Sequence, residues 1–210
     1  MVPVHQKKGC NMKKTVMNTS PEPSSRVNIP SISVGTIGLT IIGLTPLICH
    51  RWSEKAKTQM RDKQMKKAKQ PKEAKNPEEE YRASLYTLNG DGKYYFPTLA
   101  FKKCAVAACS FLDDVTKVEV RGAFHIDGEF CEIKGKPMMR EDMVRLNGQT
   151  ADIRYRGEFP EWACDLVVKY NTSILSPSQI ANLFRTAGFS VGVGEWRPQK
   201  DGVFGRFDVK

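Results

Sequence analysis

The chain has 210 residues, 40% of them hydrophobic and 27% charged, and a net charge of +10. Length and apolar content suit one sizeable core with tails or inserts. Six cysteines (10, 49, 104, 109, 131 and 164) without a C-x-x-C pair or a secretory signal argue against a disulfide framework, and His5, His50 and His125 are not spaced as zinc ligands. The charge is segregated. Residues 1–28 carry a net +4, and residues 51–75 hold ten Lys and Arg against three acids, which leaves the remainder near neutral. A near-neutral body bearing two basic segments suits a polyanionic partner; Lys-rich solvated segments are the plainer alternative.

Residues 1–28 read as a disordered basic tail, Lys-rich and then "NTSPEPSS". Residues 27–49 hold no charge, but prolines, glycines and Ser/Thr interrupt them, and the alternation of Ile37, Leu39 and Ile41 is that of a strand, not a membrane helix. One strand is expected over 31–49, with a bulge near Thr36 where the alternation changes phase. Residues 51–80 read as a polar, basic helical insert in which Trp52, Ala56 and Met60 share a narrow stripe and Lys63, Lys66 and Lys67 are candidate nucleic-acid-binding residues; "NPEEEY" starts a second helix or a loop. "NGDGKYYFP" is turn chemistry before an extended piece.

Thr98 is expected to cap a helix over "LAFKKCAVAACSFL". Val118, Val120, Phe124 and Ile126 suggest a strand, Asp127-Gly128 a tight turn and Phe130 to Ile133 its return. "MMREDMVRL" reads as a short helix. "ADIRYRGEF" and "EWACDLVVKY" read as strands, the second central because Leu166, Val167 and Val168 stand in a row. Arg154 and Arg156 share one face of the first, where they either track a phosphate backbone from a solvated face or are balanced by Glu158 and Glu161 on a partly exposed sheet face. Ser176 caps a helix with Pro177 at its first position, a buried stripe of Ile180, Leu183, Phe184 and Ala187, and Gly188 as the stop. "FSVGVG" is expected to follow as a strand, with a last short strand near 207–209. This order of elements is that of a ferredoxin-like α+β domain with extra strands, spanning 29–210 as a single domain.

Near the end, "GVGEWRPQKDGVFGRF" places Gly192, Gly194, Gly202 and Gly205 around Trp196, Arg197 and Lys200, with Arg206 after them. Backbone N–H groups without a Cβ beside them can face phosphates, and Trp196 can stack on a base. The alternative is a long hairpin with the Trp as its anchor.

This Gly-x-Gly, spacer, Gly-x-x-Gly-aromatic pattern resembles the RAMP superfamily of CRISPR RNA-binding proteins. "IGLTPLICH" at 42–50 is similar to the first strand of their guide-coating backbone subunits, and "YYFPTLAFKKCAVAAC" to their aromatic-Pro lead into the first helix. The resemblance covers residues 32–50 and 94–209. It implies an RRM/RAMP-like ferredoxin fold, with Pro97 opening the helix and Lys102 or Lys103 meeting RNA. "RYRGEFPEW" and "VGVGEWRP" also resemble an uncharacterised bacteriophage and prophage family.

The expected function is binding of single-stranded RNA or DNA along the basic surface and glycine loop without catalysis. No cofactor, metal or membrane is called for, and the place expected is the host bacterial cytoplasm. A homo-oligomer or filament along the ligand is left open. Two alternatives remain: an inhibitor of a host defence complex that acts by protein contact, and a small metal-independent ribonuclease. The ribonuclease needs His50, Glu54 or Asp62, since no Ser/His/Asp set or P-loop appears. His125, alone in a strand pattern, reads as structural.

Overall fold

The computed structural model describes residues 29–68, 74–88, 90–113, 115–146, 148 and 150–210. The expected tail over 1–28 lies outside these. The folded unit spans 32–210.

The first strand, β1 (Val34–Gly43), stops at Leu44-Thr45-Pro46, and a separate strand, β2 (Leu47–Cys49), follows in another sheet. One strand over 31–49 is therefore corrected to two, and the bulge is absent. β1 pairs with β8 (Ala163–Asn171) in one unbroken antiparallel register from Val34↔Asn171 to Ile42↔Ala163. The apparent phase change has a packing cause. Gly35 and Gly43 lie on the buried face because the rings of Tyr170 and Trp162 fill the space a side chain would need.

Two helices follow, α1 (Glu54–Gln64) and α2 (Pro77–Ser84). α1 buries no residue, and Trp52, 53% exposed, and Met60 do not enter the core. α2 does pack: Asn76 caps it, Ser84 Oγ accepts from Gly157 N at 2.8 Å, and Leu85 lies where Gly157 has no side chain. The polar insert thus ends before α2, not at residue 80.

β3 (Tyr95–Pro97) leads into α3 (Thr98–Ala108). Thr98 is not the cap. Pro97 holds that position, and Thr98 Oγ1 donates to Gly128 O at 2.6 Å, tying the helix start to a distant turn. Residues 117–123, expected as strand, form α4 (Lys117–Ala123). Thr116 and Glu119 make a capping box there, and Val120 and Ala123 are 1% exposed while Val118 is 75% exposed, a helical spacing. β4 (Phe124–Ile126) and β5 (Phe130–Glu132) flank the Asp127-Gly128 turn but do not pair with each other: β4 joins β8 and β5 joins β3. "MMREDMVRL" is not a helix but β6 (Met138–Leu146), paired along its length with β7 (Thr150–Phe159).

Among the described residues three sheets result, in orders β4-β8-β1-β9, β2-β7-β6 and β3-β5, with β9 (Phe207–Val209) antiparallel to β1. β8 is interior as expected, but on alternation: Cys164, Leu166, Val168 and Tyr170 are buried while Val167 is exposed. The last helix, α5 (Pro177–Ser190), starts at the Ser176 capping box with Gln179 and buries Ile180, Leu183, Phe184 and Ala187. Gly188 is inside it, not its stop. Phe207 O occupies the place of a Gly188 Cβ, and the terminator is Gly192, at φ +69°, whose N–H bonds Ala187 O at 2.9 Å. Residues 189–194 are accordingly no strand. The core joins α3, α5 and one face of the four-stranded sheet through Phe101, Phe124, Phe184 and Phe207. No helix among the described residues is long and apolar enough to cross a membrane.

Five cysteines, 49, 104, 109, 131 and 164, are free and buried; Cys10 lies outside the described residues. Burial pushes the Cys49 and Cys104 thiols up to about 12. The hydrogen bond with Cys131 and then burial push Cys164 up further. The raised values keep the Cys49, Cys104 and Cys164 thiols neutral across the physiological range, and at pH 8 Cys49 and Cys104 form about 1,000-fold less thiolate than an ordinary thiol. In a Cys10→Ser chain, native protein should therefore react with a thiol reagent at least about 100-fold more slowly than unfolded protein. A fast native phase, or a disulfide in the mass spectrum, would overturn this.

Candidate nucleic-acid interface

Between α5 and β9 the chain folds back on the segment that joins β1 to β2. Val193 N bonds Gly205 O at 2.9 Å, Gly205 N bonds Pro46 O at 2.8 Å, and Glu195 N bonds Ile48 O at 3.0 Å. Gly202 N is engaged with Arg197 O at 3.1 Å. The N–H groups of Gly192, Gly202 and Gly205 thus point at carbonyls of this chain, and the expectation that they face phosphates is corrected. The glycines have a packing reason instead. A Cβ on Gly205 would overlap Val193 O, one on Gly202 would overlap Trp196 O, and one on Gly194 would lie 2.6 Å from Ile48 O. Gly192, Gly194 and Gly205 also have positive φ, as does Trp196, whose ring is 41% exposed.

The loop's cations are partly engaged. Arg197 Nη1 donates to Gly194 O at 2.9 Å, and the Arg206 guanidinium carbon lies 5.0 Å from the Phe189 ring centroid. Lys200, in the short turn Pro198–Lys200, is exposed and makes no ion pair among the described residues.

Arg154 and Arg156 share a face of β7, as the alternation predicts, and it is half-exposed at Arg154 and closed at Arg156. Arg156 is 6% exposed and donates from Nη1 to Asp142 Oδ2 at 3.2 Å. Asp142, on β6, also accepts from Arg140 Nε at 2.8 Å, and Arg140 Nη1 reaches Glu158 at 3.0 Å. Arg140 lies 4.7 Å from the Phe204 ring, so the network joins the β6–β7 pair to the glycine loop. Arg154 pairs with Asp152 at 2.9 Å, and Lys75 joins the same carboxylate. Asp152 is held below the usual carboxylate range chiefly by the Lys75 hydrogen bond. Sequence reading had the arginines but not their acids, although Arg140-x-Asp142 and Arg154-x-Arg156-x-Glu158 repeat at the strand period.

His50, after β2, stands with Nδ1 3.6 Å from Glu195 Oε1. That contact, against the cost of burial, holds the Glu195 carboxyl below its usual range. Glu195 did not stand out in the sequence; the pair exists only because the loop returns to β2. Glu54 and Asp62, the other catalytic candidates, lie on α1 and pair with Lys57 at 2.6 Å and with Lys67, just past the helix, at 2.9 Å.

Lys102 is placed away from the loop. It meets His125 of β4 at 3.1 Å, on the sheet edge opposite β9, and partial burial lowers its pKa. Lys103 is exposed. Lys63, Lys66 and Lys103 make no ion pair among the described residues, and Lys63 and Lys66 lie on or just past α1, which buries nothing. Among the described residues no group of three His, Cys, Asp or Glu could hold a metal ion.

No family model and no curated protein matches the chain. Solved structures do. One chain in the cryo-EM structure of the Type III-B Cmr-beta bound to cognate target RNA aligns at TM-score 0.55 and 9% identity over 84% of this chain. The present chain spans 59% of the length of that chain. Cmr6 from Pyrococcus furiosus aligns over 86% of this chain and all of its own length at 12% identity, with a TM-score of 0.46. At this identity the first likeness is one of fold: mixed helix and antiparallel sheet, similar to that of a chain from an RNA-bound assembly.

Proposed function

We propose that this chain is a RAMP-like protein of ferredoxin-like fold that binds single-stranded RNA without cleaving it, through the basic helix α1 and the cations beside it. The strand order β4-β8-β1-β9, antiparallel at every step and linked by α3 and α5, supports the fold half of this reading. The observation that carries the function is α1 itself. It buries nothing, so the core gives no reason for its charge, and Lys63 on it and Lys66 just past it are exposed and make no ion pair among the described residues. A surface of that kind suits a polyanion by counterion release. The fold it stands on is similar to that of a chain solved in an RNA-bound assembly. Arg197, Lys200 and Arg206 extend the basic surface as side chains and the exposed Trp196 ring lies among them; origin in a phage or mobile element rests on the two sequence strings alone.

Deleting residues 53–68, with a short Gly/Ser joint, tests the reading. The melting temperature should hold within about 2 °C, because no buried side chain leaves. Six cations do leave, and the slope of log affinity against log salt for a single-stranded RNA 40-mer should flatten by about 1 to 3. An unchanged slope removes α1 from the interface. Absence of RNA binding by the intact chain would favour the protein-contact alternative. Cleavage of the 40-mer that His50→Ala abolishes would promote the ribonuclease reading, for which the His50–Glu195 pair is the supporting observation.

A further inference from the structure

Where β2 runs into α1, the chain forms a cavity of about 220 Å³ lined by Arg51, Trp52, Lys57, Tyr86, Leu88 and Phe130. None of these stands out in the sequence as a binding residue; α1, the end of α2 and the Asp127-Gly128 turn bring them together. We propose that this cavity holds one nucleotide, its base against Trp52 and Tyr86 and its phosphate on Arg51. The inference rests on the nucleic-acid reading above and names the subsite where a base is gripped.

The chemistry of the walls supports it. Tyr86 is fixed by packing, its ring 5.9 Å from Phe96 at 77° and 6.0 Å from Phe130, while its backbone carbonyl accepts from Tyr95 N at 2.8 Å. Trp52 is half-exposed, with the Lys57 ammonium 5.9 Å from its ring centroid. An indole that large left in solvent beside two other rings is a surface on which a flat aromatic ring can stack. The charge is unbalanced. Lys57 is paired with Glu54 at 2.6 Å, but the Arg51 guanidinium makes no ion pair among the described residues, and its backbone N–H is held on Ser84 O at 2.9 Å. The local excess of one positive charge suits one phosphate, which a guanidinium grips by two parallel hydrogen bonds. The cavity lies below the 300–1,000 Å³ of ordinary ligand pockets, so it takes the base alone, and the ribose and phosphate would lie at its open mouth. A nucleotide carries the planar ring and the anion in one unit.

Trp52 itself reports the test. In a full-length Trp196→Phe chain, Trp52 is the exposed indole, since Trp162 is 3% exposed. Its fluorescence is titrated with AMP, UMP, adenosine and ribose 5-phosphate. AMP and UMP should quench it saturably in the low millimolar range or below. Adenosine and ribose 5-phosphate should each bind about tenfold or more weakly, because each lacks one half of the recognition. Arg51→Ala should weaken AMP about tenfold and leave adenosine unchanged. A flat titration overturns the proposal, as does equal binding of AMP and ribose 5-phosphate, or a phosphotyrosine peptide that binds tighter than AMP. The wild-type chain, with Trp196 in place, is tested on the RNA 40-mer. RNA binding with a flat AMP titration sinks the pocket and spares the proposed function; AMP quenching without RNA binding does the reverse.

Discussion

Gly205→Val is expected to lower the melting temperature by about 10 °C while Arg206→Ala, its neighbour, leaves it within about 2 °C. Two costs fall together at Gly205. Its φ of +65° strains any residue with a Cβ, by about 1–2 kcal/mol, and a β-branched one most. Its Cβ would also overlap Val193 O, the carbonyl of a residue whose own N–H bonds Gly205 O at 2.9 Å. Relief requires the loop to lift off Pro46, losing the Gly205 N–H bond there, and displacement of packed atoms costs about 1–3 kcal/mol more. The sum, about 2–5 kcal/mol, corresponds to about 4–20 °C for a chain of this size. Gly202→Val should behave alike, since Trp196 O fills its place. Arg206 stacks on Phe189 at the surface, so its truncation should affect RNA affinity and the salt slope instead. Thermal melts with affinities measured below the transition separate the two effects. A Gly205→Val chain that melts like wild type but binds RNA weakly would restore the phosphate-cradle reading.

Asp142→Ala should cost about 3–5 kcal/mol in denaturant unfolding, the largest loss expected from any single charge in this chain. Asp142 is the acid between two arginines, with contacts of 2.8 Å to Arg140 and 3.2 Å to Arg156. Arg140 keeps Glu158, but Arg156 would be left buried without a carboxylate, and its Nε already has no hydrogen-bond partner among the described residues. An unpaired buried guanidinium is far worse than an absent one. The double variant Asp142→Ala with Arg156→Met should therefore recover most of the loss, whereas Arg154→Ala, at a half-exposed pair with Asp152, should cost about 1 kcal/mol or less. A loss under about 1 kcal/mol for Asp142→Ala would mean that water reaches this network and that it does not hold the β6–β7 pair to the loop.

The periodic elements were legible because local chemistry decides them. α5 carries its start signal, Ser176-Pro177 with Gln179, and its apolar stripe within one stretch, and β8 carries a clean alternation. α4 was legible too, in the Thr116-x-x-Glu119 box, but the β-branched Val118 and Val120 suggested a strand. β6 misled in the opposite way. Its methionines and charges suit a helix, and it is a strand because β7 supplies a partner for each residue and Asp142 a buried counterion for Arg156.

The loop and the pocket show the limit. Sequence by itself determined that the basic charge is segregated, that the core has two long apolar helices and that the last turn needs glycine. It could not determine what the glycines face, which acids neutralise Arg156, or that Trp52, Tyr86 and Phe130 meet, because each depends on how separate segments fold onto one another: Asp142 reaches Arg156 across 14 residues of a strand pair, and Gly194 meets Ile48 from the far end of the chain. The turn at Leu44-Thr45-Pro46 sends β1 and β2 into different sheets, and that division decides the rest. It draws the glycine loop onto the segment between them, brings Glu195 to His50, and leaves α1 outside the core with its charge facing solvent. A carbonyl that occupies the place of a Cβ is a tertiary fact, and a glycine's sequence neighbours do not encode it.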